Sequence, residues 1–175
     1  MSTSATRDLD LRLAPWTDGD LALLRRLNEP AMTEHLGGPE TEEKLLQRHR
    51  RYLDASGSET TYVFKVVIGP EGTPAGSVNF WDRIWHDAAV YEMGWGILPE
   101  YQGMGLATRA VVLALDRARA TKRRRFVHAF PSVDNAPSNA ICRKAGFAFI
   151  EAVDFEYPPG HIMRCNDWRF DLAKL

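Results

Sequence analysis

The stretch VYEMGWGILPEYQGMGLATRAVVLALDRARA, residues 90–120, reads as a strand, a glycine-studded turn and a helix in immediate succession. From Tyr91 to Ile97 the odd positions Tyr91, Met93, Trp95 and Ile97 are bulky and apolar, while Glu92, Gly94 and Gly96 fill the even ones. That period of two is a strand with one packed face. Pro99 ends it. From Leu106 the pattern becomes Leu106, Ala107, Ala110, Val111, Leu113, Ala114 and Ala118, one side of a helix of 3.6-residue period. The helix therefore starts at the glycines.

Between strand and helix lies Gln102-Gly103-Met104-Gly105-Leu106-Ala107. Glycines let the backbone turn sharply and leave no Cβ to obstruct a ligand. Successive unpaired N–H groups of such a turn, continued by the orphan donors and positive end of the following helix, form a place for an anion, and a phosphate is expected there. A single anion at a helix end gains only about 0.3–2 kcal/mol, so affinity has to come from several N–H bonds together. A diphosphate would use the whole turn.

At 175 residues, 45% of them hydrophobic, the chain fits a single domain over residues 9–175 with one sizeable core. Residues 1–8 are small and polar and are expected to form a disordered tail. A formal net charge of -1 gives no general pull toward nucleic acid or an anionic membrane. The one basic run, Lys122-Arg123-Arg124-Arg125, reads either as a nucleic-acid or localisation patch or as a solvated helix end. Cys142 and Cys165 are too few for a disulfide framework and lack metal-ligand spacing, so no metal is expected and a reducing cytoplasm is the simplest setting. No apolar run approaches the roughly 18 residues needed to span a bilayer.

In chain order, Leu9 to Ala14 alternates as a strand, and Thr17-Asp18-Gly19-Asp20 resembles a capping box opening a helix to about Leu27. Gly37-Gly38-Pro39 breaks the chain before a second helix over residues 41–55. Thr60 to Ile68, a Gly69-Pro70-Glu71-Gly72 turn and Ala75 to Trp81 make a hairpin, which the Tyr91 strand follows antiparallel. After the central helix, Phe126 to Phe130 must return parallel to the Tyr91 strand. Asn135-Ala136-Pro137 opens another helix that Gly146 closes, and strands over 147–153 and 163–172 end the chain around a Tyr157-Pro158-Pro159-Gly160 turn. The order is βααβββαβαββ, an α/β (α+β) fold with a mostly antiparallel mixed sheet of about seven strands, a central parallel βαβ pair and helices on both faces.

Three readings compete for the glycine turn. Its glycines serve only close packing, or it is a Rossmann dinucleotide site with Thr108 as the small third position, or it is something else. Against a Rossmann site stand the broken apolar pattern of the strand, the elements that precede it and the lack of an acidic residue about twenty residues on. A Walker A loop is excluded by the missing Gly-Lys-Ser/Thr. The string Gln102 to Ala107 resembles the Q/RxxGxG/A signature of the GNAT superfamily of N-acetyltransferases. Asn135-Ala136-Pro137-Ser138-Asn139 followed by Lys144-Ala145-Gly146-Phe147 is similar to that family's second motif, NxxSN…KxGF. The element order agrees over nearly the whole chain, and the branch it looks closest to holds the ribosomal-protein N-terminal acetyltransferases and related small-amine enzymes.

The resemblance implies acetyl-CoA as cosubstrate. It places the pyrophosphate on Gln102, Gly103, Met104, Gly105, Leu106, Ala107 and Thr108, and pantetheine along Gly94, Trp95, Gly96 and Ile97, with Asn139 and Asn135 as further contacts. The reaction implied is direct transfer of an acetyl group to a primary amine in a ternary complex. The acceptor is expected to be a small-molecule amine; a protein N-terminus, or a CoA-binding module without catalysis, are the alternatives, and a nicotinamide oxidoreductase stands behind both. An amine attacks a thioester only as the neutral base, yet a lysine-like amine has a pKa of about 10.4. Glu92, on the glycine face of its strand, is the candidate to take the proton, against a plain salt-bridge role. His128 is a second candidate base, against a packing role.

Ser138 matches the serine of the second motif and is the candidate to polarise the departing sulfur, against a capping hydroxyl. Many superfamily members place a tyrosine where this chain has Cys142, which reads as a small core residue rather than a nucleophile. Trp81, Trp85 and Trp168 are candidates to line an acceptor pocket, with specificity residing in Thr17 to Gly57 and near Pro158. The final strands also offer a surface for a homodimer.

Overall fold

The computed structural model describes residues 9–174, so the tail expected over residues 1–8 lies outside the described residues. The strands are β1 (Leu11–Pro15), β2 (Thr61–Ile68), β3 (Thr73–Trp85), β4 (Ala88–Ile97), β5 (Phe126–Ala129), β6 (Ala148–Glu156) and β7 (Ile162–Asp171). The helices are α1 (Leu21–Leu27), α2 (Pro30–Thr33), α3 (Glu42–Asp54), α4 (Leu106–Thr121) and α5 (Ala136–Ala145). One seven-stranded sheet runs β1-β2-β3-β4-β5-β7-β6. Every neighbouring pair is antiparallel except β4 and β5, which the α4 crossover forces to be parallel. A doubly wound dinucleotide fold needs a parallel sheet, so the Rossmann reading fails here.

The period-two reading of β4 decides which side is core. Tyr91, Met93 and Ile97 are buried against Leu106, Ala110, Val111, Ala114 and Ala118 of α4. Tyr91 is wholly buried, and its hydroxyl shares a 2.9 Å hydrogen bond with Thr121 at the far end of that helix. A buried phenol needs such a partner. The opposite face carries a second, smaller core in which Trp16, Leu23, Leu24, Leu45, Val63 and Leu98 bring α1 and α3 onto the sheet. Helices therefore cover both faces, as expected.

The capping signature at Thr17 does more than start a helix. The Asp20 carboxylate accepts from the Thr17 N–H and hydroxyl at 2.6 and 2.7 Å, and from the Lys65 ammonium of β2 at 3.0 and 3.1 Å. This pins the α1 end to the sheet. Between β1 and β2 the chain also forms α2, a single turn opened by Pro30 and too short to show a period in sequence.

β3 runs four residues beyond the expected Trp81, because the β3–β4 hairpin is closed by His86 and Asp87 alone, with φ of 46° and 61°. A two-residue turn with both φ positive is the hairpin type that matches strand twist, but it is usually announced by Asn-Gly rather than His-Asp. The β3–β4 register is continuous from Trp85↔Ala88 to Gly76↔Ile97, so β4 carries no bulge and Glu92 keeps the side its spacing implied.

The three arginines of the basic run are held in ion pairs within the chain. Arg123 pairs with Glu59 and Asp82, Arg124 with Asp82 and Arg125 with Asp171. Lys122 caps α4 in the left-handed region.

Candidate active site

The parallel pairing of β4 and β5 covers only Tyr91↔Val127 and Glu92↔His128. β5 ends at Ala129 while β4 runs on to Ile97, so the two strands part just after Glu92 and leave a gap. Leu98 donates its N–H to Ala75 of β3 at 2.9 Å, and successive residues of a strand turn their main-chain groups to opposite sides. The N–H and C=O of Trp95 therefore face the gap. Those of Ile97 face it too, but the Ile97 carbonyl accepts from the Gln102 side-chain amide at 2.8 Å, which closes the far end.

At that end stands the glycine turn. Gly103 and Gly105 have φ of 75° and 73°, a conformation only glycine adopts without strain, and a Cβ on either would meet nothing within 4 Å. Gln102, Gly103, Met104 and Gly105 are exposed, and no N–H of residues 103–105 is bonded to another group among the described residues. Gly105 is the N-cap of α4, so the orphan donors of that 16-residue helix continue the row. Such a turn fits a diphosphate: its donors are uncommitted and its space is unfilled.

Gly94 and Gly96 are small for another reason than the one expected. A Cβ on Gly94 would touch the Trp81 ring at 3.4 Å, and one on Gly96 would press Leu27 and Met32 at 3.3 and 3.5 Å. Their open face belongs to the α1–α2 side of the sheet, where protein already fills it. Ile97 points into the core. Of the strand residues named from sequence, Trp95 and Ile97 turn their main chain to the gap, and the Ile97 carbonyl is taken by Gln102.

α5 bears the second motif on the other side of the gap. Asn135 caps it, its side-chain oxygen accepting from the Ser138 N–H at 3.2 Å. Because Asn135 holds the cap, the Ser138 hydroxyl is released from that duty, and among the described residues it makes no hydrogen bond. Asn139 corrects the sequence expectation. Its amide donates to the carbonyls of Ser132 and Asn135 at 3.0 and 2.8 Å, and its oxygen accepts from Asn166 and from the Trp168 indole at 2.8 and 2.9 Å. All four capacities are filled within the protein. Asn139 is a buried bolt between α5 and β7, with nothing left for pantetheine, and Trp168, on this helical side, does not join Trp81 and Trp85.

The other face of the gap carries Glu92. Its side chain is 13% exposed and accepts from Arg83 Nη1 at 2.6 Å. Burial raises the Glu92 carboxyl above the ordinary range, while Arg83 pulls it back down. Beside it on β5, His128 is buried with Nδ1 at 2.6 Å from Asp167 Oδ1, and the Trp85 indole donates to Asp167 Oδ2 at 3.0 Å. Neither Arg83 nor Asp167 was marked by any motif. Their strand faces carry other polar residues, Ser77 and Asn79 beside Arg83 and Arg169 and Asp171 beside Asp167, so alternation does not single them out.

Burial pushes the Cys142 thiol up to about 12 and, with the nearby Glu92 charge, the Cys165 thiol up to about 11. A thiol needs its thiolate to react. Both cysteines of the folded protein are therefore expected to resist an aromatic disulfide reagent at pH 8 and to react fully in denaturant. Rapid labelling of Cys142 without denaturant would reopen a covalent mechanism.

The comparisons with known proteins now bear on this geometry. The family model described as Acetyltransferase (GNAT) domain matches residues 10–148, most of the chain. The chain belongs to the GNAT acetyltransferase family. Solved structures agree in fold across nearly their whole length. A GNAT-family acetyltransferase from Bacillus anthracis superposes with a TM-score of 0.75 at 18% identity, over 94% of this chain and 96% of that one. Spermidine N-acetyltransferase from Vibrio cholerae, solved with CoA and spermine, gives 0.74 at 20% identity over 95% and 96%. RimL, a ribosomal L7/L12 α-N-protein acetyltransferase solved with coenzyme A, gives 0.75 at 17% identity over 92% and 93%. The order of elements read from the sequence is the order of this acetyltransferase fold, with α2 added. Among the described residues no helix is long and apolar enough to cross a membrane.

Proposed function

We propose that this acetyltransferase moves an acetyl group from acetyl-CoA directly to a primary amine, with residues 9–175 working as one domain. The observation that carries the reading is the uncommitted glycine turn at the end of the gap between β4 and β5. The diphosphate would take the N–H groups of residues 103–108, and a pantetheine amide would pair with the Trp95 main chain as an added strand. The thioester then comes to lie where the strands part, between Glu92 on one face and the first turn of α5 on the other.

Glu92 removes the proton of the incoming ammonium, directly or through one water, so that the neutral nitrogen attacks the carbonyl carbon. The carbon–sulfur bond breaks as the tetrahedral adduct collapses. The Ser138 hydroxyl, free of capping duty, is placed to donate to the departing thiolate. Asn135 supports this by holding the helix start, and Asn139 by bolting α5 to β7. His128, tied to Asp167, is assigned a positioning role beside Glu92 rather than that of base.

The test is isothermal titration with CoA. The parent should bind, whereas Gly103→Val and Gly105→Val should lose about tenfold or more in affinity while keeping a native circular dichroism spectrum. A Cβ at either position meets no protein atom within 4 Å, so apart from the roughly 1–2 kcal/mol of left-handed strain the substitution acts on the ligand's space. Unchanged affinity in both variants would remove the turn from the site.

A further inference from the structure

One surface away from the gap is left open although it is apolar. Between the outer side of α5 and the last two strands of the sheet runs a groove of about 690 Å³, lined among others by Val133, Ala136, Arg143, Phe149 and Trp168. A water takes about 30 Å³, so the groove has room for a run of side chains. Its far wall, β6, ends the sheet, and among the described residues no strand pairs with its outer edge. Val133 and Phe149 are 40% and 52% exposed, and the Phe149 ring meets the buried Trp168 edge-on at 5.5 Å. Exposed apolar side chains gathered in one hollow mark a surface that takes a partner.

The two ends of the groove differ. At one end Val133, whose N–H donates to the Arg164 carbonyl of β7 at 3.1 Å, stands beside Asp134 ahead of α5. At the other end Phe149, paired with Trp168, stands near Arg143, whose guanidinium carbon lies 5.6 Å from the centre of the Trp168 ring. Each end thus offers one apolar side chain and one charge, and the charges are opposite. Asp134 and Arg143 are exposed, and neither side chain has an ion-pair partner among the described residues. They lie at opposite ends of α5, a helix of 10 residues and so about 15 Å long. Ala136 and Ala140, one turn apart, keep the middle of that side low.

We infer that this groove seats a second copy of the chain, with the two α5 helices antiparallel across a two-fold axis. Such an interface has to be self-complementary, because the patch meets its own copy. Turning α5 end for end brings Arg143 onto the partner's Asp134 and Phe149 onto the partner's Val133, and the axis makes each contact twice. A small ligand or an unrelated protein gives no reason for the two ends to complement each other. Ser138, two positions on from Ala136, points to the other side of the helix. The pairing therefore leaves the coenzyme side of α5 uncovered and does not depend on the transferase reading.

The experiment is sedimentation equilibrium of the full chain over a range of concentrations. The parent should reach twice the 19.8 kDa mass of the chain. Arg143→Asp and Asp134→Arg each set two like-charged pairs against each other, so either should weaken association by about a hundredfold or more while keeping the parent's circular dichroism spectrum. Mixed in equal amounts, these two variants should associate with each other, since every facing pair is then opposite in sign. A chain carrying both Arg143→Asp and Asp134→Arg should dimerise by itself for the same reason. A parent that stays monomeric, a single reversal that leaves association intact, a mixture that does not associate, or growth past the dimer into an open series would overturn the proposal.

Discussion

Glu92→Gln is expected to lower kcat/KM for the amine by roughly 10²–10⁴-fold at neutral pH, the usual contribution of a positioned general base, while CoA affinity stays as it was. Glutamine keeps the shape and can still face Arg83 but cannot accept the proton. The pH profile gives the sharper signature. A base works only when ionised, and burial raises the Glu92 carboxyl above its ordinary value. The rate of the parent should therefore fall as pH drops through a midpoint higher than the ordinary glutamate value of about 4.3. Arg83, by favouring the carboxylate, limits how far up that midpoint lies. In the glutamine variant this acid limb should vanish. If the limb survives at the same midpoint, the base is another group, and His128 is the first to test.

Gly76→Ala is expected to be the most damaging of small substitutions for the fold. A Cβ there would lie 2.1 Å from the Gly96 carbonyl oxygen and 3.0 Å from the Ile97 Cα, both atoms of the central strand β4. Main chain cannot swing aside as a flexible side chain can. Overpacking commonly costs about 1–3 kcal/mol and occasionally more, and a clash with paired backbone belongs at the top of that range. Denaturant unfolding should show it, with Gly94→Ala as the comparison, since its Cβ would meet only the Trp81 ring at an ordinary 3.4 Å. If Gly76→Ala is no less stable than Gly94→Ala, β3 and β4 do not approach as closely as described.

What the sequence made legible was whatever repeats or punctuates. The alternation of β4, the stripe of α4, the two positive-φ glycines and the Asn135 and Gly146 ends of α5 each carry their conformation in one or two residues. The strand order followed from connection rules, and with it the gap. Hidden from such reading were contacts made across the sheet. Asn139 looked like a spare amide on a helix stripe, yet three of its four partners lie outside α5 and its cap, at Ser132, Asn166 and Trp168. Arg83 and Glu92 are nine residues apart on adjacent strands, and the rings that hold Arg83 come from three separate strand regions. Gly94 and Gly96 showed that a residue must be small, but not whether a ligand or a tryptophan needs the room.

The Gln102 side chain sets a fixed stop at one end of the opening between β4 and β5. From that stop to the last paired residues is a span of five positions along β4, Glu92 to Ile97, and it acts as a ruler cut into the main chain. A coenzyme held at the turn, as proposed, would be measured off against the sheet, and its reactive carbon would arrive at one height whatever amine is waiting.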